Sequence, residues 1–328
     1  MQHIVGHDWA VAQLQSAIAN KRTGHAYLIT GPQRVGRTTL ATAFAQALNC
    51  TNEVLQNRPC RQCRSCKLIA NGRHPDLRIV KPEVSGRGNA VLKIDQIRQL
   101  QRDLNLAAIE GPFKIAILTD FQTANPAAAN AFLKTLEEPP NRVVLILTAS
   151  EADSLLPTIN SRCHTLNLRP VPTQTVLDYL QKAFQMQPDM ATPLAHLANG
   201  RIGWAIEAAE NQHLVESHQE MIKSLIEIMG EDRVGRFAVA EKVAKQPDQL
   251  QPLIQTWLSW WRDALIKSKG DVSSTVLINV DQLDLLEQFV NVISGEAISE
   301  SLKGCESALE QISQNANIRL VVENLFLT

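Results

Sequence analysis

The chain has 328 residues, which is long enough for two or three domains. Its 32 Lys and Arg residues against 33 Asp and Glu residues give a net charge of −1, which excludes a basic field over the whole surface of the kind that grips nucleic acid. The first residues lack the pattern of a secretory signal, and no apolar stretch reaches the roughly 18 residues of a membrane-spanning helix. The composition therefore predicts a soluble, cytoplasmic protein without a membrane partner.

Strand and helix patterns alternate through the first half of the chain. Short apolar or β-rich runs predict strands at 25–30, 76–82, 113–120 and 142–150. Helical spacing of apolar residues predicts helices at 37–50, 93–106 and 125–140. This alternation is typical of an α/β domain built on a parallel sheet, and we place that domain at residues 1–168.

Strand patterns nearly disappear after about residue 168. Two short helices are predicted around Gly200, and amphipathic helices are predicted at 252–266 and 283–298. Trp257, Trp260 and Trp261 share one face of the first of these, which indicates packing rather than base stacking. We expect a small helical domain at 169–209 and an all-α domain at 210–328.

The segment 31–38 matches the phosphate-binding loop G-x-x-x-x-G-K-[ST] at all but one position. Gly31 and Gly36 would let backbone N–H groups wrap phosphate oxygens, Thr38 would hold Mg²⁺, and Thr39 follows on the same helix. Arg37 stands in place of the lysine, and its planar, bulkier guanidinium makes the exchange non-conservative. Three interpretations stay open here: a packing element that keeps an inherited shape, weak nucleotide binding, and hydrolysis.

A phosphate-loop enzyme also needs a pair of acids at the tip of a neighbouring strand. The candidate is "KIAILTDFQTA", in which Asp120 is flanked by Thr119 and Phe121. If Asp120 is the first acid of the pair, Phe121 stands where the second should be; if it is the second, Thr119 stands where the first should be. The acidic pair is therefore incomplete in both cases, so the loop and the acidic site are impaired together. This pattern favours a degenerate ATPase, at which ATP and Mg²⁺ binding is doubtful.

Four cysteines lie close together at Cys50, Cys60, Cys63 and Cys66. Two successive C-x2-C steps in a reducing compartment indicate metal binding, and four thiolates complete a closed tetrahedral zinc site with a structural role. An iron–sulfur cluster is the alternative metal, although no proline follows the last cysteine; a site without metal is the other alternative. Basic residues around this cysteine module form either a solvated rim or a contact to DNA or protein.

Several motifs occur together and in a familiar order: "HAYLITGP", "HPDLRIV", "ANAFLKTLEEPP", "SRCHTLNL" and "NANIRLVVENL". Over essentially the whole chain they resemble the delta-prime subunits of the bacterial DNA polymerase III clamp loader and, less closely, the tau/gamma subunits and the wider AAA+ group. The resemblance implies an AAA+ phosphate-loop domain with a zinc insert, a helical lid and a helical collar. It also implies a hetero-pentamer with tau/gamma-like and delta-like subunits that loads a sliding clamp onto primer–template DNA.

The resemblance further implies that the Ser-Arg-Cys motif carries an arginine finger, here Arg162, which acts in trans on a neighbour's ATP. Active members of the family have an arginine in the lid, where this chain has Gly203, with Arg201 two residues earlier. We therefore predict a clamp-loader subunit that is largely ATPase-deficient, braces the complex and supplies Arg162. The alternatives are an active ATPase that uses Arg37 as its lysine, and a zinc-stabilised DNA-binding module.

Overall fold

The computed structural model describes residues 1, 3–84, 90–270, 274–314 and 316–327. These residues form two compact units: Met1–Thr175 with Gly200–Gly203, and Val176–Asn199 with Trp204–Thr328. The division of the chain into three domains near residues 168 and 210 stays a prediction. No helix in the described parts of the chain is long and apolar enough to cross a membrane.

The first unit is built on a five-stranded sheet in which every described pairing is parallel. Its order is β2-β5-β6-β1-β7, so β1 lies between β6 and β7. The bounds are Ala26–Thr30 for β1, Leu77–Val80 for β2, Lys114–Leu118 for β5, Val143–Ala149 for β6 and His164–Asn167 for β7. The strands predicted from the apolar runs are confirmed, and β7 is added at the edge. Two short strands, β3 (Glu83–Val84) and β4 (Ala90–Val91), pair separately.

Helices cover both faces of the sheet, since β1, β5 and β6 are buried along their whole length. Alternate residues of β1 enter different cores, with Tyr27 and Ile29 in one cluster and Leu28 in the other. The helices are α1 (Asp8–Ala19), α2 (Arg37–Leu48), α3 (Arg64–Ala70), α4 (Ile94–Leu104), α5 (Pro126–Glu137) and α6 (Pro157–Asn160). The predicted parallel α/β domain is therefore present.

Helix α5 shows why its segment was recognisable in the sequence. The Asn125 side chain caps the helix by accepting a hydrogen bond from the N–H of Ala128, and Pro126 occupies the first turn, where its missing N–H costs nothing. The helix ends at Glu137, two residues before the pair Pro139-Pro140. Its last residue is thus an acid at the carboxyl end of a helix.

The second unit consists of helices and short 3-10 turns in the residues that the structure describes. The α-helices after β7 are α7 (Thr173–Phe184), α8 (Pro188–Leu197), α9 (Ile202–Glu210), α10 (His213–Gly230), α11 (Arg233–Ala244), α12 (Pro247–Ser268), α13 (Leu283–Val292), α14 (Gly295–Ser313) and α15 (Ile318–Leu327). The side chains of Trp257, Trp260 and Trp261 on α12 are 2%, 0% and 3% exposed, so their predicted packing role is confirmed.

The prediction of one helix over 283–298 was wrong. Helix α13 ends at Val292 and α14 begins at Gly295. Ser294 between them adopts an extended conformation, and its side chain accepts a hydrogen bond from the N–H of Ala297. The extended backbone of Ile293 ends α13 and the capping serine starts α14, although the apolar periodicity continues across the junction.

Candidate functional site

The candidate phosphate loop joins β1 to α2 and has the backbone that its two glycines predict. Gly31 and Gly36 have φ angles of 141° and 113°, which residues with side chains rarely adopt. A side chain on Gly31 would also overlap the carbonyl oxygen of Leu168. Thr38 and Thr39 lie in the first turn of α2, directly after Gly36. The loop therefore keeps the shape of a phosphate-binding loop.

A residue far along the chain is bonded to this loop through main-chain atoms alone. Arg34 has a φ of 63°, and its carbonyl oxygen accepts a 2.7 Å hydrogen bond from the N–H of Gly203. A Cβ on Gly203 would lie 2.7 Å from that oxygen, closer than real Cβ atoms approach. No side chain fits at position 203 unless the loop or the helix moves. The observed arrangement therefore excludes an arginine at position 203.

Arg201 lies close to Arg34 of the loop. It stands immediately before α9, which begins at Ile202. Burial lowers the pKa of Arg201, and the nearby positive charge of Arg34 lowers it further. Two guanidinium groups thus lie near each other beside the phosphate loop.

We expect Gly203→Ala to destabilise the protein by about 1–3 kcal/mol, because the added methyl group meets a backbone oxygen that cannot rotate away. Gly304→Ala is the matched control, since position 304 is inside α14 and its Cβ would make an ordinary 3.5 Å contact with Leu325. That substitution should be neutral or stabilising by up to about 1 kcal/mol. Calorimetric melting of both variants tests the contrast, and equal melting temperatures would contradict the close contact.

Arg37, which stands in place of the lysine, forms an ion pair with Asp120, the acid of the same site. Nη2 of Arg37 lies 3.1 Å from Oδ1 of Asp120, and the Arg37 side chain is only 7% exposed. Burial lowers the pKa of Arg37, and the Asp120 carboxylate partly offsets this. Nη1 of Arg37 is buried without a hydrogen-bond partner in the described part of the chain. The two charged groups expected to serve nucleotide and Mg²⁺ therefore neutralise each other.

Asp120 is held in an unusual backbone conformation at the end of β5. Its φ is 48°, and its N–H donates to Oγ1 of Thr148 at a distance of 3.0 Å. Thr119 on one side is buried, and Phe121 on the other packs against Phe132 in the core. Neither neighbour brings a second carboxylate to this edge of the sheet.

The four cysteines come together at the other end of α2. Cys50 follows the last turn of α2, Cys60 lies in the loop, Cys63 caps α3 and Cys66 is in its first turn. Their four Sγ atoms all lie within 4.8 Å of one another. A tetrahedral zinc ion with Zn–S distances of about 2.3 Å would place sulfur atoms about 3.8 Å apart, so only a slight contraction is needed.

Backbone N–H groups point at the sulfur atoms, as expected around thiolates. The N–H groups of Cys60, Cys63 and Cys66 lie 3.4 Å from the Sγ atoms of Cys50, Cys60 and Cys63. Burial raises the pKa of the Cys63 thiol, but N–H groups that include that of Thr51 outweigh it and bring the pKa to about 6. Burial raises the pKa of Cys50 and Cys66, so a bound cation would be needed to keep all four sulfurs charged.

Arg162 lies away from the phosphate loop, at the amino-terminal ends of the strands. It precedes β7, whose first residue His164 pairs with Tyr27 near the start of β1. The loop and Asp120 instead follow the carboxyl ends of β1 and β5. The structure therefore brings Asp120 to the loop. Arg162 is separated from the loop by the length of β1, whose five residues span roughly 16 Å.

One residue near Arg162 was missed in the sequence. Nη2 of Arg162 donates a 2.8 Å hydrogen bond to Oε1 of Glu137, and Nη1 donates at 2.8 Å to the carbonyl oxygen of Thr158. Glu137 lies within the "KTLEEPP" motif, so the motif pointed to the segment but not to this acid. The pairing of Gly203 with Arg34 was missed because the two residues are far apart in sequence.

Comparisons with known proteins give the family. Residues 6–172 match the model of the family described as "DNA polymerase III, delta subunit". DNA polymerase III subunit delta' of Bacillus subtilis is 29% identical over 324 residues, which cover 96% of this chain and 93% of that protein. The chain belongs to the DNA polymerase III delta' family. The Escherichia coli delta' subunit is 28% identical and covers 97% of the chain and 93% of its own length.

Other subunits of the same polymerase match a smaller part of the chain. The Bacillus subtilis tau subunit is 33% identical over 55% of this chain and 31% of its own length. Among solved structures, a gamma subunit-related protein from Thermotoga maritima covers 97% of both chains with 19% identity and a TM-score of 0.47. The family model and the two delta' relatives confirm the predicted resemblance to delta-prime subunits.

Proposed function

We propose that this chain is a clamp-loader subunit of the DNA polymerase III holoenzyme, largely inactive as an ATPase. It braces an assembly with tau/gamma-like and delta-like subunits and supplies Arg162 as an arginine finger to a neighbour. The assembly places a sliding clamp on primer–template DNA during replication. Relatives named as delta', tau and gamma subunits of DNA polymerase III support this role.

The position of Arg162 is the observation that carries the proposal. An arginine finger donates hydrogen bonds to charge that develops on a transferring phosphoryl group, and it must lie within a few ångströms of it. Arg162 lies at the amino-terminal ends of the parallel strands. The chain's own phosphate loop lies at their carboxyl-terminal ends, roughly 16 Å away along β1. The geometry thus favours action on a nucleotide held by another subunit.

The chain's own phosphate loop supports the absence of efficient hydrolysis. Arg37 and Asp120 are paired with each other, and Gly203 is bonded to the loop backbone in the place of the lid arginine. A nucleotide would have to break the ion pair and would then find a single acid for Mg²⁺. Inherited architecture without turnover accounts for all three observations.

We also propose that Cys50, Cys60, Cys63 and Cys66 hold a structural zinc ion. Four sulfur ligands would leave no open coordination position, so the ion would order the segment between α2 and α3. The phosphate loop precedes α2 and this segment follows it. Gln46 of α2 donates a 2.8 Å hydrogen bond to the carbonyl oxygen of Cys66. The metal would therefore brace the helix from its far end.

ATP turnover by the isolated chain tests the proposed ATPase deficiency. We expect turnover at the background level, unchanged by Arg37→Ala, since Arg37 is committed to Asp120. The second candidate function is an active motor, and the unpartnered Nη1 of Arg37 is the observation that favours it. Robust turnover by the isolated chain that Arg37→Ala abolishes would establish that alternative and refute the first.

A further inference from the structure

The conformation of Arg162 depends on an acid on another helix. Its backbone is fixed by the short helix α6, where Ile159 is buried, and by Cys163, which packs against the core. The side chain is nevertheless long and about one-third exposed. An arginine in that setting samples many rotamers unless its guanidinium is held, and fixing it costs conformational entropy.

Two acceptors hold the guanidinium, one at each of its terminal nitrogens. Glu137 accepts from Nη2 and the carbonyl oxygen of Thr158 accepts from Nη1, each at 2.8 Å. Ser161 lies 3.4 Å from Nη1 through its hydroxyl oxygen. A guanidinium has five N–H donors in a rigid, planar fork, so two short bonds fix the plane of the group and leave other donors available.

The location of Glu137 is unfavourable for helix stability alone. It is the last residue of α5, where the carbonyl end of the helix dipole repels a carboxylate. The next residue, Glu138, is also an exposed acid at this helix end, but it accepts no hydrogen bond from Arg162. Helix formation therefore does not explain an acid at position 137, whereas the contact with Arg162 does.

We propose that Glu137 is a positioning residue for the arginine finger: its carboxylate orients the Arg162 guanidinium toward the neighbouring subunit's nucleotide. This inference rests on the proposed function of Arg162. Orientation before the reaction lowers the entropy lost when the finger meets the developing charge. Glu137 itself does not reach the nucleotide and acts through Arg162.

The test uses the reconstituted complex with its tau/gamma-like and delta-like partners, sliding clamp and primed DNA. We expect Glu137→Ala to lower the DNA-stimulated kcat about tenfold with KM for ATP unchanged, since nucleotide is bound by the neighbour's own loop. Glu137→Gln keeps an acceptor oxygen and should lose less than about threefold. Glu138→Ala is the matched control and should retain the kcat of the unsubstituted complex.

A double substitution separates positioning from a general structural effect. In an Arg162→Ala background, Glu137→Ala should cause no further loss, because the group that it orients is already gone. The same loss in both backgrounds, no loss from Glu137→Ala alone, or a gain in kcat from shedding the negative charge would each overturn the inference. If Arg162→Ala alone left kcat unchanged, the proposed function itself would fall, and the positioning role with it.

Glu137→Gln also guards against a folding defect, since it preserves the volume of the side chain. Assembly of each variant complex is measured by gel filtration beside the kinetics. A Glu137→Gln complex that assembles normally yet loses as much kcat as Glu137→Ala would contradict orientation by hydrogen bonding and overturn the inference.

Discussion

Arg162→Ala is expected to lower ATP turnover at the neighbouring site of the assembled complex by about 10³-fold. An arginine finger stabilises negative charge that grows on the phosphoryl oxygens in the transition state, so the loss falls on kcat rather than on nucleotide affinity. The isolated chain should show no corresponding change, because Arg162 lies at the edge of the sheet opposite its own loop. Single-turnover measurements on complexes with primed DNA and clamp provide the readout.

Two further variants define what the arginine contributes. Arg162→Lys keeps the charge but loses the planar fork, so most of the loss should persist. Arg169→Ala removes the same charge from an exposed position after β7 and should leave turnover unchanged. A complex with Arg162→Ala that turns over ATP at the normal rate would show that another residue completes the neighbour's site.

Removal of zinc is expected to have the largest effect on stability. The purified chain should contain one equivalent of zinc, and Cys63→Ser should release it, because three thiolates hold the ion much less tightly than four. Cys63 also caps α3 through its sulfur atom, so the substitution removes a ligand and a helix cap together. We expect the melting temperature of the first unit to fall by about 10 °C or more, as the folding free energy supplied by the metal is lost.

Metal analysis and calorimetry with and without a chelator measure this effect. Cys305→Ala is the control, since Cys305 is buried in the second unit and the zinc content should stay at one equivalent. A zinc content far below one equivalent in the unsubstituted chain, or a chelator without effect on melting, would refute the zinc proposal. Iron with a visible absorption band would instead support the iron–sulfur alternative.

The parts of the structure that could be predicted from the sequence are those set by short segments. Four core strands and helices α2, α4 and α5 follow from local periodicity, and the shape of the phosphate loop follows from Gly31 and Gly36, whose φ angles few other residues tolerate. The cysteine cluster was equally readable, because its ligands are close in sequence. In each case, neighbouring residues carry the whole pattern.

What escaped prediction depends on pairs of residues that are distant in sequence or on a single cap. The bond from Gly203 to Arg34 and the ion pair of Arg162 with Glu137 arise only when the fold brings separate segments together. The break at Ser294 was hidden because apolar spacing continues across it. Even the distance of Arg162 from its own phosphate loop required the register of β7 against β1.

The hydrogen bond between Gly203 and Arg34 has a consequence for any attempt to engineer efficient ATP hydrolysis into the loop of this chain. It joins two main-chain atoms, so no exchange of the Arg34 side chain removes it. A lysine at position 37 would replace the planar guanidinium by an ammonium group, yet the loop backbone would stay bonded to the start of α9. If the proposed ATPase deficiency holds, a working motor would therefore require a shift of the backbone between the loop and α9, which an exchange of side chains at positions 34 and 37 does not provide.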